Sequence, residues 1–332
     1  IESVEASGAR ALLRLPPPAE WPKGVRPPLV LRNPWWARPF ELFPRLVGMP
    51  GASGADPSVL LAFTVPLMFG YMFGDVGQGL VLAAVGVALR NRVPTLRLLV
   101  PGGIAASLFG FVFGSVFCLE TVIHPLWLLP LEAPLPVLIA PLIAGSVLLT
   151  IGMLIELLEA WWQQRLGQWA RDDAPALLAY LGVLGALLHP AGWLAVIAGA
   201  LWAVAGGAAG AQGPGAAFGA RLRGGFAGLG ELVEKTLQVL INTLSFARVG
   251  AFALAHAGLA SAVVALAEAA GHGIGFWLVL ALGNLLILAI EGLIVSIQTT
   301  RLVLFEFFTR FFKPEGRAFR PLAPPPVTVK ET

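Results

Sequence analysis

Apolar residues run along this chain in blocks too long for a globular core, and outside the last two blocks every Lys and Arg falls between or beyond the blocks rather than within them. Taken in order, the blocks predict helices over 57–89, 98–117, 135–158, 174–188, 191–210, 231–270 and 275–312. The first block is interrupted by GDVGQG at 74–79, which makes it a tight hairpin of two short spans turning near Asp75. Basic residues then set the topology. Arg90, Arg92 and Arg97 follow the hairpin, Arg165 and Arg171 follow the next pair, and Arg221 and Arg223 the pair after that. The intervening connections, at 118–134, around His189 and Pro190, and around His272, hold no Lys or Arg. With the arginine-rich start of the chain on the same side, the expected fold is all-α and polytopic, with eight transmembrane helices and both ends cytoplasmic.

The last two blocks are the longest. A helix of about 40 residues is ~60 Å long, against a hydrocarbon core of ~30 Å, so both are expected to tilt strongly or to protrude. The expected division is an interfacial segment at 1–56, a six-helix membrane region at 57–230, two long tilted helices at 231–313 and a cytoplasmic tail at 314–332. In the first of these, Trp35, Trp36 and Phe40 stand among Arg32, Arg38 and Arg45, a mixture that anchors at a membrane interface. An irregular linker leaving a soluble domain fits the same residues. The chain opens at Ile1 with no basic n-region before an apolar core, so no signal peptide is expected, and an N-terminal portion of the natural protein is expected to be missing.

Composition agrees with the pattern. The hydrophobic fraction is 57%, mean hydropathy is +0.80 and 12% of residues are charged, against about 25% in soluble domains. A net charge of +3 would suit an anionic partner, but basic residues in a membrane protein chiefly set orientation, and nucleic-acid binding is not expected. The single cysteine, Cys118, excludes an internal disulfide, and four scattered histidines predict neither a metal centre nor a cofactor.

The chemistry lies in the two longest blocks. Arg248 sits near the middle of 231–270, and a guanidinium at bilayer depth costs from a few kcal/mol to more than ~10. On one continuous helix Gln238, Asn242, Ser245, Arg248 and His256 share a sector of about 120°. In the last block Asn284, Glu291 and Gln298 recur at a seven-residue interval that drifts only ~20° per step, with Arg301 one turn further on. A pairing of Arg248 or Arg301 with Glu291 would lock the two helices together. Such a lock leaves the rest of the stripe unexplained, whereas a lining for water or protons uses all of it.

At Ser245–Leu259 the sequence SFARVGAFALAHAGL resembles the arginine-bearing helix of the membrane-embedded stator subunit of V-type and A-type rotary ATPases, subunit a or I. NPWWARPFELFPRLVG, the GDVGQG turn, PLWLLP and EGLIVSIQTTRLVLFEFFTRFF match the same family in order along nearly the whole chain. The resemblance implies that Arg248 and Arg301 face a ring of rotor proteolipid subunits, each with an ion-binding carboxylate. It implies that Glu234 lies in a cytoplasmic half-channel and that His256 and Glu291 belong to the opposite one. Asp75 matches the acid of the family's GD-x-GHG turn, with Gln78 where the family has histidine; an amide there can still orient water. The family's stalk contacts belong mostly to a cytoplasmic arm absent here.

The physics of those roles is direct. A rotor carboxylate crossing lipid must be neutral, and beside Arg248 its ionised form is favoured, so it releases its proton there. Half-channels on either side of the arginine then force protons to ride the ring, in a prokaryotic plasma membrane. A secondary ion-coupled transporter is the alternative, although inverted repeats and broken helices, its usual marks, are not evident. Ser245 and His256, about 16 Å apart on one helix, make no nucleophile–base pair. No phosphate-binding GxxxxGK[ST] loop is present, so nucleotide hydrolysis is expected in partner subunits.

Overall fold

In the computed structural model, which describes residues 28–48, 56–120, 122–210, 218–271, 273–308 and 317–318, the chain is almost wholly helical. The proline-rich start, His272 and the tail at 319–332 lie outside the described residues. A two-residue parallel ladder pairs β1 (Pro28–Leu29) with β2 (Arg317–Ala318). A 3₁₀ turn at Arg38–Glu41 leads into α1 (Leu42–Val47), with Phe40 and Phe43 buried. The GDVGQG block divides as its turn residues predict, into α2 (Ser58–Met72) and α3 (Val76–Leu89). Asp75 is the N-cap of α3, and its carboxylate accepts the Gln78 N–H, one of the first-turn donors that a helix leaves unpaired. Next, α4 (Leu99–Phe113) packs beside both and stops at Gly114, whose φ of +77° is a left-handed conformation suited to glycine. It therefore ends before 117, and the chain from Gly114 to Cys118 folds back onto the α2–α3 turn.

Then come α5 (Pro134–Trp162), α6 (Leu166–Asp172), α7 (Ala174–Leu188), α8 (Gly192–Gly210) and α9 (Phe218–Ser245). Because α9 starts at Phe218, the expected boundary at 231 falls inside a helix. After a one-residue break at Phe246 the chain continues as α10 (Ala247–Ala269) and turns at Gly271. The last long helix is α11 (Ile274–Leu286), a π-helical turn at Ile287–Glu291, α12 (Gly292–Leu302) and a second π-helical turn at Val303–Phe308.

All eight expected helical stretches are present, but five have the length and apolarity to cross a bilayer: Pro94–Phe113, Pro134–Trp162, Gly192–Gly210, Phe218–Ala269 and Ile274–Glu306. The helices α2, α3 and α7, with 15, 14 and 15 residues, reach only ~21–23 Å against a core of ~30 Å. Both long helices are also interrupted, where their sequences read as continuous.

Packing combines a core of large apolar side chains, Phe73, Tyr180 and Phe246 among them, with close backbone approach at glycines. A Cβ on Gly103 of α4 would lie 2.5 Å from the Gly79 carbonyl oxygen of α3, and one on Gly250 of α10 would lie 2.5 Å from the Val137 carbonyl oxygen of α5. Small residues allow such contact where lipid supplies no hydrophobic drive between helices. Two sets of helices result. In one, α2, α3 and α4 pack together; in the other, α7, α8 and α9 do. The long α9–α10 unit joins them, for α9 packs on α7 and α8 while α10 packs on α2, α5 and α11. The break falls at the changeover. Phe246 is buried there against Gly145 of α5, and two i→i+3 hydrogen bonds, Phe246 N–H to Thr243 O at 3.1 Å and Val249 N–H to Phe246 O at 3.0 Å, tighten the chain around it.

Candidate functional site

Polar groups from α10 meet polar groups from the last long helix at successive levels along their contact. Arg248 stands two residues beyond the Phe246 break, and its side chain is 24% exposed. Its Nη2 donates to Glu306 Oε1 at 3.3 Å, and its Nη1 lies 3.5 Å from Gln298 Oε1. The pair is made by one nitrogen and one oxygen at long range. Glu306 is buried, and its Oε2 has no hydrogen-bond partner among the described residues. Both charges are thus held together but incompletely satisfied.

At ~12 Å further along α10 comes His256. Its Nδ1 lies 3.0 Å from Glu291 Oε2, both side chains are buried, and the imidazole packs on the Phe73 ring with centroids 4.9 Å apart. The other ring nitrogen, Nε2, is buried without a partner among the described residues. Glu291 closes the first π-helical turn, a local unwinding that recurs at functional sites. So Glu291 pairs with the histidine. The helix-locking pair of Arg248 or Arg301 with Glu291 is not formed, because Glu306 takes the guanidinium of Arg248.

A third level joins α11 to the α2–α3 turn. Gln78 Nε2 donates to Asn284 Oδ1 at 2.7 Å, Asn284 Nδ2 donates to the Phe117 and Leu280 carbonyls, and Cys118 Sγ lies 3.4 Å from Gln78 Nε2. From Asn284 to Glu306 along the last helix is ~33 Å, comparable with the thickness of a bilayer core.

Asp75 sits behind this level. It is fully buried, and its two oxygens accept four donors: Gln78 N–H and Phe117 N–H at 2.9 Å on Oδ1, and Ser115 Oγ–H at 2.7 Å and Cys118 N–H at 2.9 Å on Oδ2. The carboxylate clamps the 115–118 loop onto the start of α3. Burial, and after it the charges of Asp75 and Glu291, push the Cys118 thiol up to about 12, against a weaker opposing hydrogen bond from Gln78.

The remaining sequence candidates lie elsewhere. Glu234 is exposed on α9; its neighbour Lys235 makes the ion pairs, at 2.8 Å to Asp173 and 2.9 Å to Glu231. Gln238 is exposed, Asn242 is half-buried, and Ser245 donates back to the Ile241 carbonyl of its own helix. The stripe therefore does not run unbroken from Gln238 to His256. A straight helix would keep these residues in phase, but the i→i+3 turn at Phe246 rotates α10 relative to α9. Arg301 is exposed, on a face of the last helix turned away from Glu291.

Glu306 was missed for a related reason. Continuing the series 284, 291, 298 by seven arrives at Phe305, which is exposed, whereas the π-helical turn at Val303–Phe308 carries Glu306 onto the inner side. The available signal was an acid inside the apolar VLFEFF run. Asn284 belonged to the seven-residue series, but its partner Gln78, far away in sequence, could be found only in the fold.

Fold and site together define a class: a helical membrane protein with ionisable side chains held between its two longest helices. No family model matches the chain. It is 28% identical over 326 residues to the A-type ATP synthase subunit I of Thermococcus kodakarensis, covering 89% of this chain and 47% of that protein. Against the A-type ATP synthase subunit I of Halobacterium salinarum it is 27% identical over 391 residues, covering 89% and 51%. A shorter match, 32% identical over 107 residues, joins 30% of the chain to 24% of the V-type ATP synthase subunit I 2 of Treponema pallidum. The chain spans about half the length of the curated relatives it matches. Over most of its length the chain is thus similar to the subunit I proteins of A-type ATP synthases.

Proposed function

We propose that this chain is the membrane-embedded stator portion of a rotary A/V-type ATP synthase, a non-catalytic subunit that couples proton movement across a prokaryotic plasma membrane to rotation of a proteolipid ring. The observation that carries the reading is Arg248: a permanent cation between the two longest helices, partly exposed and only loosely paired with Glu306. A guanidinium so held can exchange its internal carboxylate for one arriving on the ring, whose ionised form it favours. Arg301, exposed on the last long helix that also carries Glu306, is proposed as a second ring-facing cation. His256 with Glu291, Gln298, and the Gln78–Asn284 level are proposed to line the outer half-channel. Glu234, Asn242 and Ser245 are proposed for the cytoplasmic one, where aqueous exposure of Glu234 suits an entry site. The eight helical stretches would all be embedded with both ends cytoplasmic, and the stalk subunits would meet the complex mostly outside this region.

The test is ATP-driven proton uptake by vesicles carrying the complete complex with Arg248→Ala, with assembly and ATP hydrolysis measured on the same preparation. Lost pumping in an assembled complex is the expected result. Pumping at the wild-type rate would refute the coupling role. The interruptions at Phe246 and Ile287–Glu291 are the one feature that favours a secondary transporter, whose sites are built from broken helices. Pumping that needs no rotor ring would decide for it.

A further inference from the structure

The end of the α2–α3 hairpin opposite Asp75 carries a groove that the stator mechanism does not use. It lies between the segment 31–45 and the 3₁₀ turn Pro94–Leu98, has a volume of about 930 Å³, and is lined by Arg32, Arg38, Arg45 and Arg97 together with Trp35 and Glu41. Glu41 is already engaged, accepting from Arg45 Nη2 at 2.8 Å and from Asn33 Nδ2 at 3.3 Å. Arg38 and Arg97 each spend one Nε–H on a backbone carbonyl, of Asn33 and Arg90. Neither they nor Arg32 have a carboxylate within ion-pair distance among the described residues. Three guanidinium groups therefore face one cavity with donors to spare, and their mutual repulsion is unrelieved until an anion enters.

The surroundings say which anion. The groove stands level with the first residue of α2 and the last of α3, where apolar helix gives way to the basic connection at Arg90 and Arg92. Trp35 is 80% exposed at its rim, and Trp36 packs on Phe63 of α2 with ring centroids 5.3 Å apart. Phe63 and Leu67, one turn apart on α2, are 65% and 52% exposed and continue an apolar track away from the groove. Amphipathic aromatics at the level of a cationic pocket, with an apolar track running from it, match a phospholipid lying with its headgroup in the pocket and its chains along the helix.

We infer that the Arg32–Arg38–Arg45–Arg97 groove binds the phosphate-bearing headgroup of an anionic phospholipid. The assignment rests on the membrane reading proposed above. Bidentate arginine contacts suit a phosphodiester, and a bound anion would tie the interfacial segment to the α3–α4 connection across the groove. The lipid is thus a bridge between two elements that otherwise present like charges to each other.

The test is titration of the purified full-length complex in detergent with phosphatidylglycerol, against phosphatidylcholine, followed by native mass spectrometry. The Arg32→Gln/Arg97→Gln variant disturbs no ion pair among the described residues. With each interfacial arginine contributing ~1 kcal/mol toward an anionic lipid, it is expected to bind phosphatidylglycerol roughly 30-fold more weakly, with phosphatidylcholine unaffected. The matching double lysine variant should retain most of the binding; a loss equal to that of the glutamines would overturn the charge argument. Inorganic phosphate displacing the lipid as effectively as phosphatidylglycerol itself would make the ligand a free phosphate and overturn the lipid assignment. Unchanged lipid binding with weakened complex assembly would hand the groove to an acidic polypeptide and overturn it likewise. If the wild-type protein leaves the membrane fraction in alkaline carbonate, the membrane reading falls as well; if it stays and only the lipid preference is missing, the groove proposal alone falls.

Discussion

Asp75→Asn separates a structural carboxylate from a proton carrier, because the two roles make opposite predictions at one neighbouring atom. The substitution keeps shape and one acceptor oxygen, but an NH₂ group replaces the other oxygen, so two of the four donors that converge on Asp75 lose their partner. Each hydrogen bond to a charged acceptor contributes ~1.5–3 kcal/mol, and at the low end two lost bonds weaken the hold on the 115–118 loop by ~3 kcal/mol. That raises the population of the opened loop roughly 140-fold. The reporter is built in. Cys118, the single cysteine of the chain, is 2% exposed, and its thiol is held up at about 12, so it is doubly shielded from a maleimide. With opening and closing fast relative to labelling, the rate follows the open population, and Asp75→Asn should label faster by about that factor. Asp75→Ala, which loses all four acceptor contacts, should reach the rate of an unprotected thiol. Cys118 labelling no faster in Asp75→Asn than in wild type would refute the clamp. If pumping vanished while the thiol stayed protected, Asp75 would be a proton carrier instead.

Glu306→Gln removes the charge but keeps an acceptor beside Arg248, and should lower the stability of the assembled complex by ~1–2 kcal/mol; this is below the ~3–5 kcal/mol of a fully buried broken pair because the guanidinium is partly exposed. A thermal midpoint equal to wild type would mean that Arg248 finds its counter-charge elsewhere. Gly103→Leu must push α4 off α3, since even a Cβ there would sit 2.5 Å from a backbone oxygen, and should cost at least ~1–3 kcal/mol. Gly167→Ala, on an exposed helix with nothing within 4 Å of the new atom, should be neutral or slightly stabilising in the same measurement.

The sequence by itself determined the helical class, the order of the long apolar helical stretches, the Asp75 turn and the concentration of buried charge in the last two of them. Each follows from local information. Apolar runs of bilayer length have few other uses, an aspartate between glycines caps a helix, and an arginine in an apolar run announces itself by its cost. Tertiary structure decided who pairs with whom. The folded-back loop brought Phe117 and Cys118 to Asp75, and Gln78 found Asn284 across about two hundred residues of chain. The register of the polar stripes was not local either. Sequence phasing assumes a constant rotation per residue, and Phe246 wedged against Gly145 together with the two π-helical turns changes that rotation at the positions that matter. Such interruptions are held by packing from other helices, so Glu306 could take Arg248, and Glu291 could take His256, only once the whole set of helices had come together.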